Sequence, residues 1–213
     1  MALRILLTGF EPFGGSLYNP SGDVAAALNG EEVRATSAPD ARRGTLHSVV
    51  LPVLWNDAGR AVRDAIARVR PHVVIALGMA HGAFRVEQIA SDRRVDRIDN
   101  AGVSLGVTPG TRRIATALPR REIERWLVDV VGREHVVESD DAGGFICEEV
   151  FFAVMNAIHE PTRQPRIARA GFIHVPNDVF VPSVLPEALL AKAIRGAASL
   201  TLDALRDDAA LEP

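Results

Sequence analysis

The chain has 213 residues, of which 47% are hydrophobic and 24% charged, so one domain with a sizeable core needs no disulfide or metal to stabilise it. Its 24 Lys and Arg residues nearly balance its 27 Asp and Glu residues, which gives a formal net charge of -3 and argues against nucleic acid or an anionic lipid surface as a partner. We therefore expect a single domain over residues 1–213.

Short apolar runs alternate with amphipathic segments, a pattern typical of an α/β sheet with helices on both faces. Residues 78–110 differ, being rich in Gly, Arg and Asp, and we expect them to leave the sheet apart from a short strand at 86–90. Before this region the pattern predicts, in order, a strand at 4–8, a helix capped by Ser21 and ending near Leu28, a strand at 46–53, a helix at 56–70 and a strand at 72–77.

The second half of the chain continues the alternation, with no repeat or linker that would divide it. It predicts a helix over Arg120–Val131, a strand at 136–139, a helix from near Cys147 to about His159, a strand at 168–173 and a helix at 187–205.

A glycine-rich turn, GFEPFGG at 9–15, lies between the first predicted strand and the first predicted helix. This placement invites a phosphate-binding loop, but neither G-x-x-x-x-G-K-[ST] nor G-x-G-x-x-G is present. Phe10, Glu11 and Phe13 are poorly suited to hold a phosphate. Two aromatic rings in a loop rich in backbone polar groups suit a small, flat, partly apolar ligand better.

Cys147 is the only cysteine, which excludes an internal disulfide and any metal site that needs two thiolates. A reducing, cytoplasmic location follows most simply. The apolar run at 5–7 is too short for a signal-peptide core, and no later run reaches the roughly 18 apolar residues of a membrane span. We therefore expect a protein made without an export signal and without a membrane partner.

Cys147 lies where a flexible loop enters an apolar helix, so its thiol is predicted in the first helical turn. The positive end of the helix dipole stabilises a thiolate there. A lone cysteine on an apolar helix is, however, more often a small buried hydrophobic residue. The adjacent Glu148 and Glu149 also favour the neutral thiol unless they point away. Both interpretations stay open on the residues alone.

A cysteine nucleophile needs a base, and position distinguishes among the histidines. His174 follows an apolar strand, at the carboxyl edge where open α/β sheets usually place their sites. His81 also follows a strand end, within a glycine-rich turn, and is the competitor. His72 begins a strand and so lies at the opposite edge. A purely structural role for His174 is equally compatible with its surroundings.

An acid is needed to orient the imidazole, and Glu87 is the carboxylate with apolar neighbours, in VEQIA at 86–90. Spacing alone does not select one acid among so many. A glutamate in such a run is ordinarily a solvated residue on the outer face of a strand.

Five segments taken in order carry a resemblance that spans nearly the whole chain. They are LLTGFEPFGG at 6–15 with NPS at 19–21, GMA at 78–80, VEQIA at 86–90, AGGFIC at 142–147 and GFIHVP at 171–176. Together they resemble the pyroglutamyl peptidase I family, also called pyrrolidone carboxyl peptidase. The N-terminal string and the cysteine string are highly specific, because neither is a low-complexity pattern.

The resemblance implies a single three-layer α/β/α domain with a central, mostly parallel twisted sheet. It implies removal of N-terminal pyroglutamate from peptides by thiolate attack, without cofactor or metal, in a homo-oligomer that is often a tetramer. Cys147 then matches the nucleophile, His174 the general base and Glu87 the orienting acid. The substrate-binding positions it implies are Phe10, Phe13, Ile98, Phe145 and Ile146 around the ring, Asn19 at the ring or its supporting loop, and Arg97 on the oxyanion side.

The departures from the family pattern cluster on the rim and the leaving-group side of the expected pocket. The segment 81–85 is two residues shorter, Gln88 follows the acid in place of Arg, and the proline is missing from DRIDN at 96–100. HVPNDVF at 174–180 replaces an aromatic-rich string, and Glu148 replaces the usual Asn. Two alternatives follow: a thiol hydrolase of another cyclic amide or small acyl group, and a catalytically weak binding protein on the same scaffold.

Overall fold

The computed structural model describes residues 3–37, 42–160, 165–177 and 185–205. Its strands are β1 (Leu3–Phe10), β2 (Glu32–Arg34), β3 (Arg43–Leu51), β4 (Val73–His81), β5 (Arg85–Val86), β6 (Ile89–Ser91), β7 (Arg113–Ala115) and β8 (Arg169–Asn177). Its α-helices are α1 (Pro20–Ala27), α2 (Asp57–Val69), α3 (Arg120–Val131), α4 (Ile146–Ile158) and α5 (Glu187–Asp203), with a 3₁₀ turn at Arg133–His135.

Six strands form the central sheet in the order β2-β3-β1-β4-β8-β5. The four inner strands β3, β1, β4 and β8 are parallel to one another, whereas the edge strands β2 and β5 pair antiparallel with β3 and β8. Strands β6 and β7 form a separate antiparallel ribbon. The sheet is therefore mostly parallel, as predicted.

Helices cover both faces of this sheet. Successive residues of a strand point to opposite faces: Ile5 packs with α1, α3 and α5, while the next residue, Leu6, packs with α2 and α4. Val74 and Ile75 of β4 divide between the two apolar clusters in the same way. The result is the three-layer α/β/α arrangement that the sequence predicts. No α-helix in the described ranges has the length and hydropathy that a bilayer span requires.

Several predicted boundaries need correction. Asn19, not Ser21, caps α1, and its side-chain oxygen accepts a hydrogen bond from the Ser21 N–H, because Pro20 fills the first helical position. The expected strand at 136–139 is wrong: a 3₁₀ turn precedes isolated bridges at Val136 and Ser139. The run at 86–90 is divided between β5 and β6, and β5 joins the main sheet instead of leaving it.

Candidate active site

A cavity of about 710 Å³ opens at the carboxyl edge of the parallel strands. It lies where β1, β4 and β8 end, and the N-terminus of α4 enters it from one side. Ligands of open α/β sheets usually bind at this edge. The sequence-predicted residues that line it are Phe10, Phe13, Asn19, Arg97, Phe145, Ile146, Cys147 and His174.

Cys147 is the second residue of α4, so the prediction that it lies in the first helical turn is confirmed. Its side chain lines the cavity, and the first N–H groups of the helix have no partner within the helix. Gly144 lets the preceding loop reach this point: its φ is +67°, and a Cβ there would lie 2.9 Å from Val95 Cγ1. Backbone geometry thus brings a thiol and free amide donors to one place.

The two acids after the nucleophile point away from the cavity. Glu148 is buried, and its carboxylate accepts hydrogen bonds from the N–H groups of Ser91 and Gly144. Burial raises the pKa of Glu148, and these hydrogen bonds oppose the rise. Glu149 accepts hydrogen bonds from the N–H groups at the start of α2. Both carboxylates therefore organise backbone and do not face the thiol.

His174 lies within β8, buried, between an acid and the thiol. Its Nδ1 is 2.7 Å from Glu87 Oε1, and the ring lines the cavity together with Cys147. Burial lowers the pKa of His174, but the neighbouring Cys147 and Glu87 side chains outweigh it and raise the pKa to about 9. The ring is thus held as an imidazolium at neutral pH, next to the Cys147 side chain.

Glu87 is fully buried in the link between β5 and β6, so it is not a solvated strand residue. One carboxylate oxygen faces His174, and the other accepts a 2.6 Å hydrogen bond from the Ser139 hydroxyl. The Glu87 N–H donates to the carbonyl of Phe172 on β8, which fixes the backbone. A buried carboxylate with both oxygens engaged is suited to hold an imidazole in one orientation.

The other two histidines considered for the base have different surroundings. His81 ends β4 and is exposed at the mouth of the cavity, where the turn was expected. His72 is buried at the opposite edge, where its Nδ1 accepts a hydrogen bond from the Arg4 N–H. Burial lowers the pKa of His72 and keeps it neutral. Among these three and within the described residues, His174 is the one whose ring lies 2.7 Å from a carboxylate, and it lines the cavity with Cys147.

Aromatic side chains wall the cavity. The rings of Phe13 and Phe145 lie 5.1 Å apart between centroids, and Trp55 meets Phe145 edge-on at 5.2 Å. The Arg97 guanidinium lies 4.8 Å from the Phe13 centroid and 4.7 Å from that of Phe145. Sequence reasoning missed Trp55, whose indole N–H donates to the Arg97 carbonyl. The available signal in the sequence was a large aromatic residue directly before the helix predicted at 56–70.

The loop that carries Phe10 and Phe13 is closed at its base. Buried Asn19 donates to the Glu11 carbonyl, and a Cβ at Gly9 would overlap the carbonyl oxygen of Ser21. The Ser21 hydroxyl oxygen in turn accepts from the Phe10 N–H. The geometry places Asn19 as a support of the loop as well as a residue of the cavity wall.

Ile98 is the one predicted binding residue that the structure does not bring to the cavity. Its side chain is 61% exposed and lies outside the lining. The adjacent Asp99 is buried, because its carboxylate accepts hydrogen bonds from the N–H groups of Trp55, Ala101 and Val103. This inward turn of Asp99 directs Ile98 outward.

Gly78 provides a test of the packing beneath the thiol. A Cβ there would lie 2.7 Å from Phe172 Cζ and 2.9 Å from Cys147 Sγ. We expect Gly78→Ala to displace the thiol and to cost about 1–3 kcal/mol of stability by overpacking. The measurements are the rate of iodoacetamide modification and the melting temperature. A parent-like rate and melting temperature together would contradict this close approach.

No group of three or more His, Cys, Asp or Glu side chains in the described ranges is arranged to hold a metal ion.

Comparison with known proteins relates this site to a family. The family model for pyroglutamyl peptidase matches residues 3–207. The pyrrolidone-carboxylate peptidase of Gloeobacter violaceus is 35% identical over 181 residues, 82% of each chain. That of Bacillus velezensis is 32% identical over 215 residues, 95% of this chain and 87% of its own.

Solved structures agree in fold. Pyroglutamyl peptidase I from Bacillus amyloliquefaciens superposes with a TM-score of 0.79 at 29% identity, covering 98% of both chains. Pyrrolidone carboxyl peptidase from Thermococcus litoralis gives a TM-score of 0.79 at 27% identity, covering 94% of both. Because the family model and these relatives each span most of the chain, the protein belongs to the pyroglutamyl peptidase family.

Proposed function

We propose that Cys147, His174 and Glu87 are the catalytic residues of a cysteine peptidase that removes N-terminal pyroglutamate from peptides. The observation that carries this proposal is their arrangement: a thiol at a helix N-terminus, a buried imidazolium beside it and a buried carboxylate 2.7 Å behind the ring. Family membership supports the activity, and an aromatic-walled cavity adjoins the thiol.

In the first half-reaction, the Cys147 thiolate attacks the pyroglutamyl carbonyl carbon. The negative charge moves to the carbonyl oxygen, which the N–H groups of the first turn of α4 receive. The carbon–nitrogen bond then breaks as the His174 imidazolium gives its proton to the departing amine. A thioester on Cys147 remains, and the shortened peptide leaves.

In the second half-reaction, water attacks the thioester and His174, now neutral, takes its proton. The carbon–sulfur bond breaks, pyroglutamate leaves as the acid, and the thiolate–imidazolium pair is restored. Glu87 keeps the ring in one orientation throughout, through the 2.7 Å contact between its Oε1 and the ring Nδ1. Arg97 adds positive charge to the cavity wall beside the developing oxyanion.

Specificity is expected to come from the aromatic wall. The lactam ring of pyroglutamate is flat and neutral, and it is suited to pack against the rings of Phe13 and Phe145, which contact each other at a centroid distance of 5.1 Å. An N-terminal glutamine carries an ammonium group that would lose its hydration there. No described residue that lines the cavity near these rings offers it an unpaired carboxylate, since Asp141 is paired with Arg93.

Truncating an aromatic side chain of the cavity wall should weaken the preference for pyroglutamyl substrates. We expect Phe13→Ala to lower kcat/KM for pyroglutamyl amides by the equivalent of about 1–3 kcal/mol, because apolar contact with the lactam is lost. Iodoacetamide should still modify Cys147 at a similar rate. The measurement compares matched pyroglutamyl and glutaminyl amides, and comparable kcat/KM values for the two in the parent protein would contradict the lactam pocket.

A fluorogenic pyroglutamyl amide, assayed with and without iodoacetamide, tests the function itself. Turnover that iodoacetamide abolishes is the expected result. A reactive thiol without turnover would instead favour a hydrolase of another cyclic amide or small acyl group, which the departures at 81–100 suggest. An unreactive thiol would favour a binding protein.

We also propose that residues 1–213 form one catalytic domain that self-associates, as a tetramer by family resemblance, in the cytoplasm. The exposed apolar side chains of one loop, Ile98, Val103, Leu105 and Val107, support self-association. A thiolate nucleophile favours a reducing compartment. Sedimentation equilibrium tests the assembly, and a monomer at assay concentration would contradict it.

A further inference from the structure

Arg85 lies beside the catalytic histidine, on the same face of the sheet. Strand β5 pairs antiparallel with β8, and its two residues face His174 and Ile173 respectively. Directly opposed residues of an antiparallel pair project to the same face. Val86 and Ile173 both join the apolar cluster of α1, α3 and α5, so Arg85 projects with His174 to the other face, where it lines the cavity.

The order of strands places Arg85 across the reacting atoms from the aromatic wall. Phe10 ends β1, Cys147 packs over Gly78 of β4, His174 lies on β8 and Arg85 on β5. In the sheet these strands follow one another as β1-β4-β8-β5. When the lactam binds at the β1 side and the amine departs at His174 on β8, the rest of the peptide extends further along the same direction, toward β5. Arg85 therefore lies on the leaving-group side.

The charge of Arg85 is not neutralised by a carboxylate within the described residues. Its guanidinium donates to the His81 carbonyl at 3.2 Å. Asp141, the one carboxylate among the described lining residues, pairs with Arg93 and accepts from the Gly143 N–H. The two carboxylate oxygens of Glu87 already contact His174 and Ser139. A half-buried arginine in this state is suited to bind a carboxylate from a ligand.

We propose that Arg85 is a specificity-determining residue that selects peptides with a carboxylate immediately after the scissile bond. Two sources supply this group: an acidic side chain on the residue after pyroglutamate, and the C-terminal carboxylate of a pyroglutamyl dipeptide. The inference rests on the proposed function and adds a preference among its substrates.

Two matched pairs of peptides test it at low ionic strength: pyroglutamyl-glutamate amide against pyroglutamyl-glutamine amide, and pyroglutamyl-alanine against its amide. Release of the free amine gives kcat/KM. We expect the carboxylate member of each pair to be preferred by about tenfold, the effect of one charge-assisted hydrogen bond at a partly solvated site. The ratio should fall as salt is added, since screening weakens the attraction.

The ratios should fall to near one in Arg85→Gln and be partly kept in Arg85→Lys. Arg121→Gln, at an exposed position on α3, is the matched control and should keep them. A preference in one pair only would assign the carboxylate to that source. Ratios near one in the parent, or a tenfold ratio that survives Arg85→Gln, would overturn the inference while turnover itself upholds the proposed function. No turnover of all four peptides would overturn both.

Discussion

Replacing Cys147 with serine is expected to lower kcat for pyroglutamyl amides by roughly a thousandfold or more while the fold is retained. Serine has nearly the same size, so it fits over Gly78, where a Cβ would already come within 2.9 Å of the sulfur. Its hydroxyl is not ionised at neutral pH, and the adjacent imidazolium would have to become a base before any attack.

The measurement is turnover of a fluorogenic pyroglutamyl amide together with the melting temperature. A parallel Cys147→Ala variant sets the background from contaminating peptidases. Unchanged turnover in Cys147→Ser would remove the thiol from the mechanism, whereas a large fall in melting temperature would mean that its role is structural.

The second large effect is expected at His174. His174→Ala should abolish turnover, because it removes the proton donor for the departing amine and the positive charge that accompanies the thiolate. It also leaves Glu87 buried beside a void, so the protein can lose stability. His174→Asn keeps a side-chain amide near the position of Nδ1, and we expect it to fold while remaining at least a hundredfold slower.

His81→Ala is the control for this experiment. His81 is exposed at the cavity mouth, so its removal should change KM more than kcat. A loss of kcat in His81→Ala, with activity kept in His174→Asn, would mean that the base had been wrongly assigned.

The raised pKa of His174 also predicts the pH dependence. A histidine whose folded-state pKa lies near 9, above the ordinary value of 6.5, stabilises the protein through its proton fully below pH 6.5. That contribution is lost as the pH rises through about 9. We expect kcat/KM to fall over the same alkaline range, as the imidazolium loses its proton. Activity that is constant up to pH 10 would contradict the ion pair.

The sequence predicted the positions of Cys147 and His174 in the fold well, because the signals are local. A cysteine after a glycine-rich loop is placed by the helix start, and a histidine near the end of an apolar run by the strand direction, although β8 runs on to Asn177 and so contains His174 instead of ending before it. The boundaries of α3 agree with the prediction at both ends. The structure brings these two residues to one cavity at the carboxyl edge, where position alone had placed His174.

The surroundings of Glu87 were beyond sequence reasoning. Its burial depends on β5 pairing with β8, nearly ninety residues later, and on Ser139, which belongs to a run interpreted as a strand. Ile98 shows the same limit, since only the hydrogen bonds of Asp99 decide which of the two side chains turns inward. Long-range pairing, not local pattern, sets these positions.

The closed loop between β1 and α1 has a consequence for the thermodynamics of binding. Gly9 and Gly22 let the two ends of the loop touch, since a Cβ on either would overlap backbone of the other end. A ligand that packs against preformed rings does not have to order the loop, so binding costs less conformational entropy. Calorimetry of pyroglutamate with the Cys147→Ala protein should then show a small heat-capacity change, limited to the apolar surface of one lactam ring.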